Sequence, residues 1–215
     1  MKLFYSFFIL IILIIIISCN EEPKRQITEN EFKEHIYSIF SEYDSNDINV
    51  VRYMINEEKH YLVYPEYVFD KPMRLDIYKI SEEIVLLNSI SFNSFECNKL
   101  LSISLRNLMG DENMELLVEP WHDSSQSYSR VDLLIYTNPL TKDIKKVFEL
   151  TVSEFSSGIN ENAELESDIV HDLGIEYKII AGTFSIVASG TYNRIANQEI
   201  VYSWSEYEEM FIKIN

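Results

Sequence analysis

Apolar positions change their period twice along this chain. From residue 3 to 17 every position is apolar except Ser6. From Thr28 the spacing turns helical: Phe32, Ile36, Ile39 and Phe40 recur at steps of four, three and one, the stripe of a single helix face. Ahead of the stripe, Thr28-Glu29-Asn30-Glu31 has the S/T-x-x-E form of a capping box. Asp44, Ser45 and Asn46 favour a turn, so the spacing predicts a helix that ends near residues 43–46 and seals a sheet with its apolar face. After that, short runs rich in Ile, Val, Leu and Tyr are separated by Asn, Asp, Pro, Glu and Ser. They fall at 48–55, 61–64, 75–80, 84–92, 100–105, 114–119, 131–137, 144–152, 176–181, 184–188, 199–204 and 210–214. A dozen strands at hairpin spacing with one helix imply a mainly β fold. The expected form is a single antiparallel β-rich domain over residues 28–215, built of propeller-blade-like or sandwich-like sheets.

The apolar start is a separate unit. Met1-Lys2, a fifteen-residue apolar run and the small Ser18 have the layout of an export signal. Fifteen helical residues span about 22 Å, short of the roughly 30 Å hydrocarbon core of a bilayer. The end of this segment, Ile16-Ile17-Ser18-Cys19, resembles the lipobox of bacterial lipoproteins. The resemblance implies a diacylglycerol on the Cys19 sulfur, cleavage after Ser18 and acylation of the new amino terminus. It places the protein in the cell envelope, on a membrane through its lipid anchor, facing the periplasm or the outside. Residues 1–18 are then the signal, residues 19–27 a polar tether, and the remainder the folded domain. With Cys19 lipidated, Cys97 has no disulfide partner. Its apolar neighbours predict a buried structural thiol.

Charge narrows the partners. Lys plus Arg number 18 and Asp plus Glu 35, a formal net charge of −17. Loss of residues 1–18 removes Lys2 and no acid, leaving 17 basic against 35 acidic residues, or −18. Such acidity excludes a nucleic-acid binder and a protein held by basic patches on anionic lipid. The segment 153–173 carries Glu154, Glu161, Glu164, Glu166, Asp168 and Asp172, and no Lys or Arg stands between Lys146 and Lys178. It is expected as a solvated acidic loop, and as a footprint for a cationic protein.

One internal segment has a recognisable pattern. Asn107-Leu108-Met109-Gly110-Asp111-Glu112-Asn113-Met114-Glu115, followed by Leu116-Leu117-Val118, resembles the calcium-type loop of FG-GAP and VCBS repeat proteins, D-x-N-G-D-G-x-x-D/E before an aliphatic strand. Asp132-Leu133-Leu134-Ile135-Tyr136 is similar to the next strand of such a unit. Tyr202-Ser203-Trp204 with Phe211 resembles the closing hairpin of some exported relatives. The resemblance implies calcium as a cofactor, held by Asn107, Asp111 and Glu115. Met109 and Glu112 depart from the pattern at its third and sixth places. Two carboxylates and an amide make a weak site for a cation that takes six to eight oxygens. The alternative is a loop fold that outlived its metal, with Gly110 making the turn and Asp111 bonding loop amides.

No G-x-S-x-G, P-loop, H-E-x-x-H or G-x-G-x-x-G occurs. His35 and His60 are expected at the surface, and His171-Asp172 as a solvated pair. Trp121-His122-Asp123 before Ser124, Ser125, Ser127 and Ser129 is expected as a polar loop. It offers Trp121 and Tyr128 as anchors for a partner, or His122 and Asp123 as the centre of an envelope hydrolase. The sequence therefore points first to a non-enzymatic binding or inhibitor-type module. The alternatives are a hydrolase and a calcium-stabilised structural lipoprotein. By analogy, exported inhibitors of cationic cell-wall hydrolases such as lysozyme set the kind of partner expected.

Overall fold

The computed structural model describes residues 25–69, 71–92, 97–111, 113–125, 128–159 and 165–214. The predicted export segment 1–18, Cys19 and most of the predicted tether lie outside the described residues. Helix α1 runs Glu29–Ile39. Thr28 caps it as its composition predicts: the hydroxyl accepts from Glu31 N at 3.2 Å, and the Glu31 carboxylate accepts from Thr28 N at 2.9 Å. Phe32, Ile36 and Phe40 are buried, but Ile39 is 37 % exposed and the helix stops there, earlier than its apolar spacing predicts. Phe40 is the C-cap, and a 3-10 turn at Ser45–Asp47 leads into the first strand.

Twelve strands follow, one for each predicted run. Strands β1 (Ile48–Ile55), β2 (Glu58–Pro65), β3 (Met73–Ile80) and β4 (Ile84–Phe92) form a four-stranded antiparallel meander. Strands β5 (Lys99–Arg106), β6 (Glu115–Ser125), β7 (Tyr128–Thr137), β8 (Lys145–Ile159), β9 (Leu165–Ile180), β10 (Thr183–Tyr192), β11 (Ile195–Ser205) and β12 (Met210–Lys213) form an eight-stranded one, also in chain order. The protein is mainly β, with two antiparallel sheets and one helix among the described residues.

Alternation along the strands explains the layering. On β3, Leu75 and Ile77 face the large sheet, where they meet Leu105, Leu116, Val118 and Leu134. On the opposite face of the small sheet, Tyr61, Val63, Tyr78 and Ile80 pack under Phe32, Ile36 and Phe40 of α1. The order is helix, small sheet, large sheet. The other face of the large sheet carries a second core from Leu133 and Phe148 through Leu173, Ile186 and Ile200 to Phe211. One apolar cluster spanning these strands requires the sheet to curl toward itself. Bulges at Val131/Asp132 and Ile135/Tyr136 bend it, and β12 comes back beside β8: Phe148 meets Phe211 edge-on at 5.6 Å. Gly190, at φ +145°, lets β10 lie close to β9, since a Cβ there would stand 2.1 Å from the Asp172 carbonyl oxygen.

Three sequence expectations are corrected. Residues 153–159 and 165–173 are strand rather than loop. Both strands extend into that segment, to Ile159 and from Leu165, and pair from Ser153↔Asp172 to Ile159↔Leu165. Cross-strand hydrogen bonding outweighs the low strand propensity of its acids. Residues 121–125 and 128–129 are likewise hairpin strands rather than a polar loop, with His122 opposite Arg130. Finally, His60 and His171 are buried, not exposed. His171 lies against Tyr192 at 4.8 Å, accepts from Asn193 N at 3.4 Å, and places Nε2 3.4 Å from the Glu154 carboxylate.

His60 makes stability pH-dependent. Burial holds its imidazole below the ordinary histidine pKa, and Nδ1 is enclosed without a hydrogen-bond partner. The unfolded chain takes up its proton near pH 6.5, where the folded chain still resists it. His60 therefore adds a stability loss as pH falls through about 6.5, ending only below the folded pKa. Thermal melts between pH 7.5 and 5 should decline less for His60→Gln than for the native chain. Parallel curves would assign the decline to other groups.

Candidate functional site

The meander gathers its turns at two ends. At one end, the loop between β5 and β6 meets the β7–β8 turn and the β11–β12 turn, because curling brings β12 next to β8. Asn88 of β4 braces this end by donating from Nδ2 to Pro139 O at 2.7 Å and Thr141 O at 2.5 Å. The three turns enclose a cleft of about 530 Å³. Its walls hold Asp111, Glu115, Asp143, Glu206 and Glu209, with Lys145 the one basic residue among those lining it. Trp204 and Met109 supply apolar surface, and Trp204 is braced edge-on by Phe211 at 5.4 Å.

The metal candidates lie in or beside this cleft, with their oxygens already committed in part. Asn107 Oδ1 accepts from Gly110 N at 2.5 Å, and Gly110, at φ +76°, makes the turn. Asp111 accepts from Asn113 N at 3.2 Å and from Asn113 Nδ2 at 3.0 Å. Glu115 is fully buried, with Oε2 accepting from Leu108 N at 2.7 Å and Oε1 lacking a hydrogen-bond partner among the described residues. Burial pushes the Glu115 carboxyl above the usual range, against the backbone donor of Leu108. Among the described residues, no three His, Cys, Asp or Glu side chains converge closely enough to hold a metal ion.

A second cleft, of about 360 Å³, opens where β6–β8 project past the small sheet. His122, Tyr128, Arg130, Asp132, Lys146 and Glu149 line it. Arg130 Nε donates to Asp132 Oδ1 at 2.8 Å, Thr151 Oγ1 donates to the same oxygen at 2.7 Å, and Lys146 pairs with Glu149. The His122 and Tyr128 rings lie 5.9 Å apart. Trp121 pairs with Val131 and so belongs to the opposite face from His122 and Arg130. The structure thus separates Trp121 from Tyr128. It separates His122 from Asp123 for the same reason, so this pair does not converge as a base and its orienting acid. Asp123 is used locally, its N–H donating to Asn98 Oδ1 at 2.8 Å.

Cys97 is fully buried, its thiol 3.3 Å from Lys99 O and pushed up by burial to about 12, which keeps it protonated. The acids and the Trp of the turn-end cleft could be found singly in the sequence. Their meeting could not, because 206 and 209 reach 111 and 143 only through the curl of the sheet. Compared with known proteins, the chain matches no family model, no curated protein and no solved structure.

Proposed function

We propose that this chain is a non-enzymatic binding module of the bacterial cell envelope, anchored by a lipid on Cys19 and recognising a cationic protein. The observation that carries the reading is where its negative charge sits. Within the stretch without Lys or Arg between Lys146 and Lys178, residues 153–159 and 165–172 are laddered backbone, so Asp172 projects from a paired ribbon rather than a loose coil. At the other end of the same strands, the turns hold Asp111, Asp143, Glu206 and Glu209 against one lysine. Charges fixed on strands keep their field pointed outward and steer an oppositely charged partner without the ordering entropy of a loop. Separation of His122 from Asp123 favours binding over the hydrolase alternative.

Retention of lysozyme, a cationic probe protein, tests this. Capture is expected at about 0.01 M salt, where the Debye length is about 30 Å, and release towards 1 M, where it is about 3 Å. No retention at either ionic strength would remove the reading.

A further inference from the structure

We propose that the turn-end cleft is a binding site for a primary alkylammonium group of the lysine side-chain type, with Trp204 as its aromatic wall. The inference takes from the proposed function only the sign of the partner's charge.

Glu115 is the first reason. It is fully buried in the cleft wall, one oxygen accepts from Leu108 N, the backbone N–H groups of Met109 and Glu115 lie near the carboxylate, and among the described residues Oε1 completes no hydrogen bond. A buried acceptor left unmatched carries its full desolvation penalty, and such groups persist where something outside the chain compensates them. Asp143 and Glu206 line the same cleft, and among the described residues neither forms an ion pair. Glu209 already demonstrates the chemistry within the chain: the Lys145 ammonium stands 3.2 Å from its Oε2.

The ligand class follows from what the walls are made of. A hard divalent cation needs six to eight oxygens in one tight shell. These carboxylates surround a volume of about 530 Å³ and do not converge on a point. An organic ammonium suits that spread, since its three N–H donors reach separate acceptors while its methylenes lie on the indole. Trp204 is held for this by Phe211, and its position in the cleft is set by the curl that returns β12 to β8.

The chain contains two tryptophans, so two indole N–H signals report separately in nitrogen-15 spectra, and Trp204→Phe identifies one of them. The full-length chain in detergent would be titrated with N-acetyl-lysine methylamide, its Nε-acetylated analogue serving as the uncharged control. Expected is a saturable shift of the Trp204 signal alone, half-complete at roughly 1–10 mM, with none from the uncharged analogue. Asp143→Asn with Glu206→Gln should weaken it at least about tenfold, while Glu34→Gln on the exposed side of α1 leaves it unchanged. Equal shifts of both indoles, no saturation, or a stronger saturable shift with calcium chloride would each overturn the site. Lysozyme retained undiminished by the Asp143→Asn/Glu206→Gln chain, with no probe binding, overturns the site and spares the proposed function. Probe binding without lysozyme retention supports the site and removes that function.

Discussion

Replacing Asp76 with Ala is expected to destabilise the fold by about 3 kcal/mol, which lowers the melting temperature by roughly 6–12 °C for a domain of this size. Asp76 is fully buried in β3, between α1 and the small sheet. Its two oxygens serve three neighbours: Arg74 through Nε at 2.7 Å and through a second guanidinium nitrogen, Tyr78 OH at 3.0 Å, and Ser89 Oγ at 2.6 Å. Removing the carboxylate leaves the buried Tyr78 hydroxyl without its acceptor, a loss of about 1–3 kcal/mol at the unrelaxed limit, while the exposed Ser89 hydroxyl turns to water. The Arg74 side chain, 37 % exposed and 5.0 Å above the Phe40 ring, recovers part of its loss from water, so the upper end of that range does not apply. Arg74→Ala should lose less than Asp76→Ala, and the double variant should lose less than the two together, because the pair acts as a unit. Denaturant melts of the four chains give the coupling directly. A change below about 0.5 kcal/mol in Asp76→Ala would mean that solvent already screens the cluster.

Asp76 also marks how far the sequence could be read. Its strand was legible from Leu75, Ile77 and Ile80, and the same alternation puts Arg74, Asp76 and Tyr78 on one face. A residue pattern R-x-D on a strand makes an i,i+2 pair, and it recurs as Arg130–Asp132 on β7. What the pattern withholds is which face a second layer covers, and so whether the pair is wet or buried. The helix cap and all twelve strands were local, written in Thr28, Glu31 and the runs of Ile, Val and Tyr. The extensions of β8 and β9 were not, because Glu154, Asp172 and their neighbours disfavour strand alone and are held by pairing with each other. The candidate site was legible only in parts. Gly110, Asp111 and Glu115 sit in one short loop and could be read together. Asp143, Trp204, Glu206 and Glu209 come from turns 30 to 100 residues away in the chain, and only bulges in β7 and the returning β12 bring the last three to that loop.

Cys19→Ser is expected to abolish fatty acylation altogether, and with it the release of residues 1–18. On the proposed anchoring, the thiol at position 19 is the only group that can take a diacylglycerol, since a serine hydroxyl forms no thioether and Cys97 is fully buried behind Phe92 and Leu100. The size of the effect follows from chain arithmetic. Each buried methylene contributes about 0.8 kcal/mol, a single acyl chain binds a membrane only marginally, and two or more make the attachment stable. The fifteen-residue apolar run is short for a permanent span, at about 22 Å against roughly 30 Å of hydrocarbon. Growth with an alkyne-tagged fatty acid should label the native chain and leave Cys19→Ser dark. The intact mass of the native chain should correspond to residues 19–215 plus acyl groups, while the variant keeps its first eighteen residues. A labelled Cys19→Ser chain would move the lipid to another residue. An unlabelled native chain that retains residues 1–18 would turn the apolar start into an uncleaved signal anchor, and the acidic domain would then meet its partner from a peptide stalk rather than from a lipid.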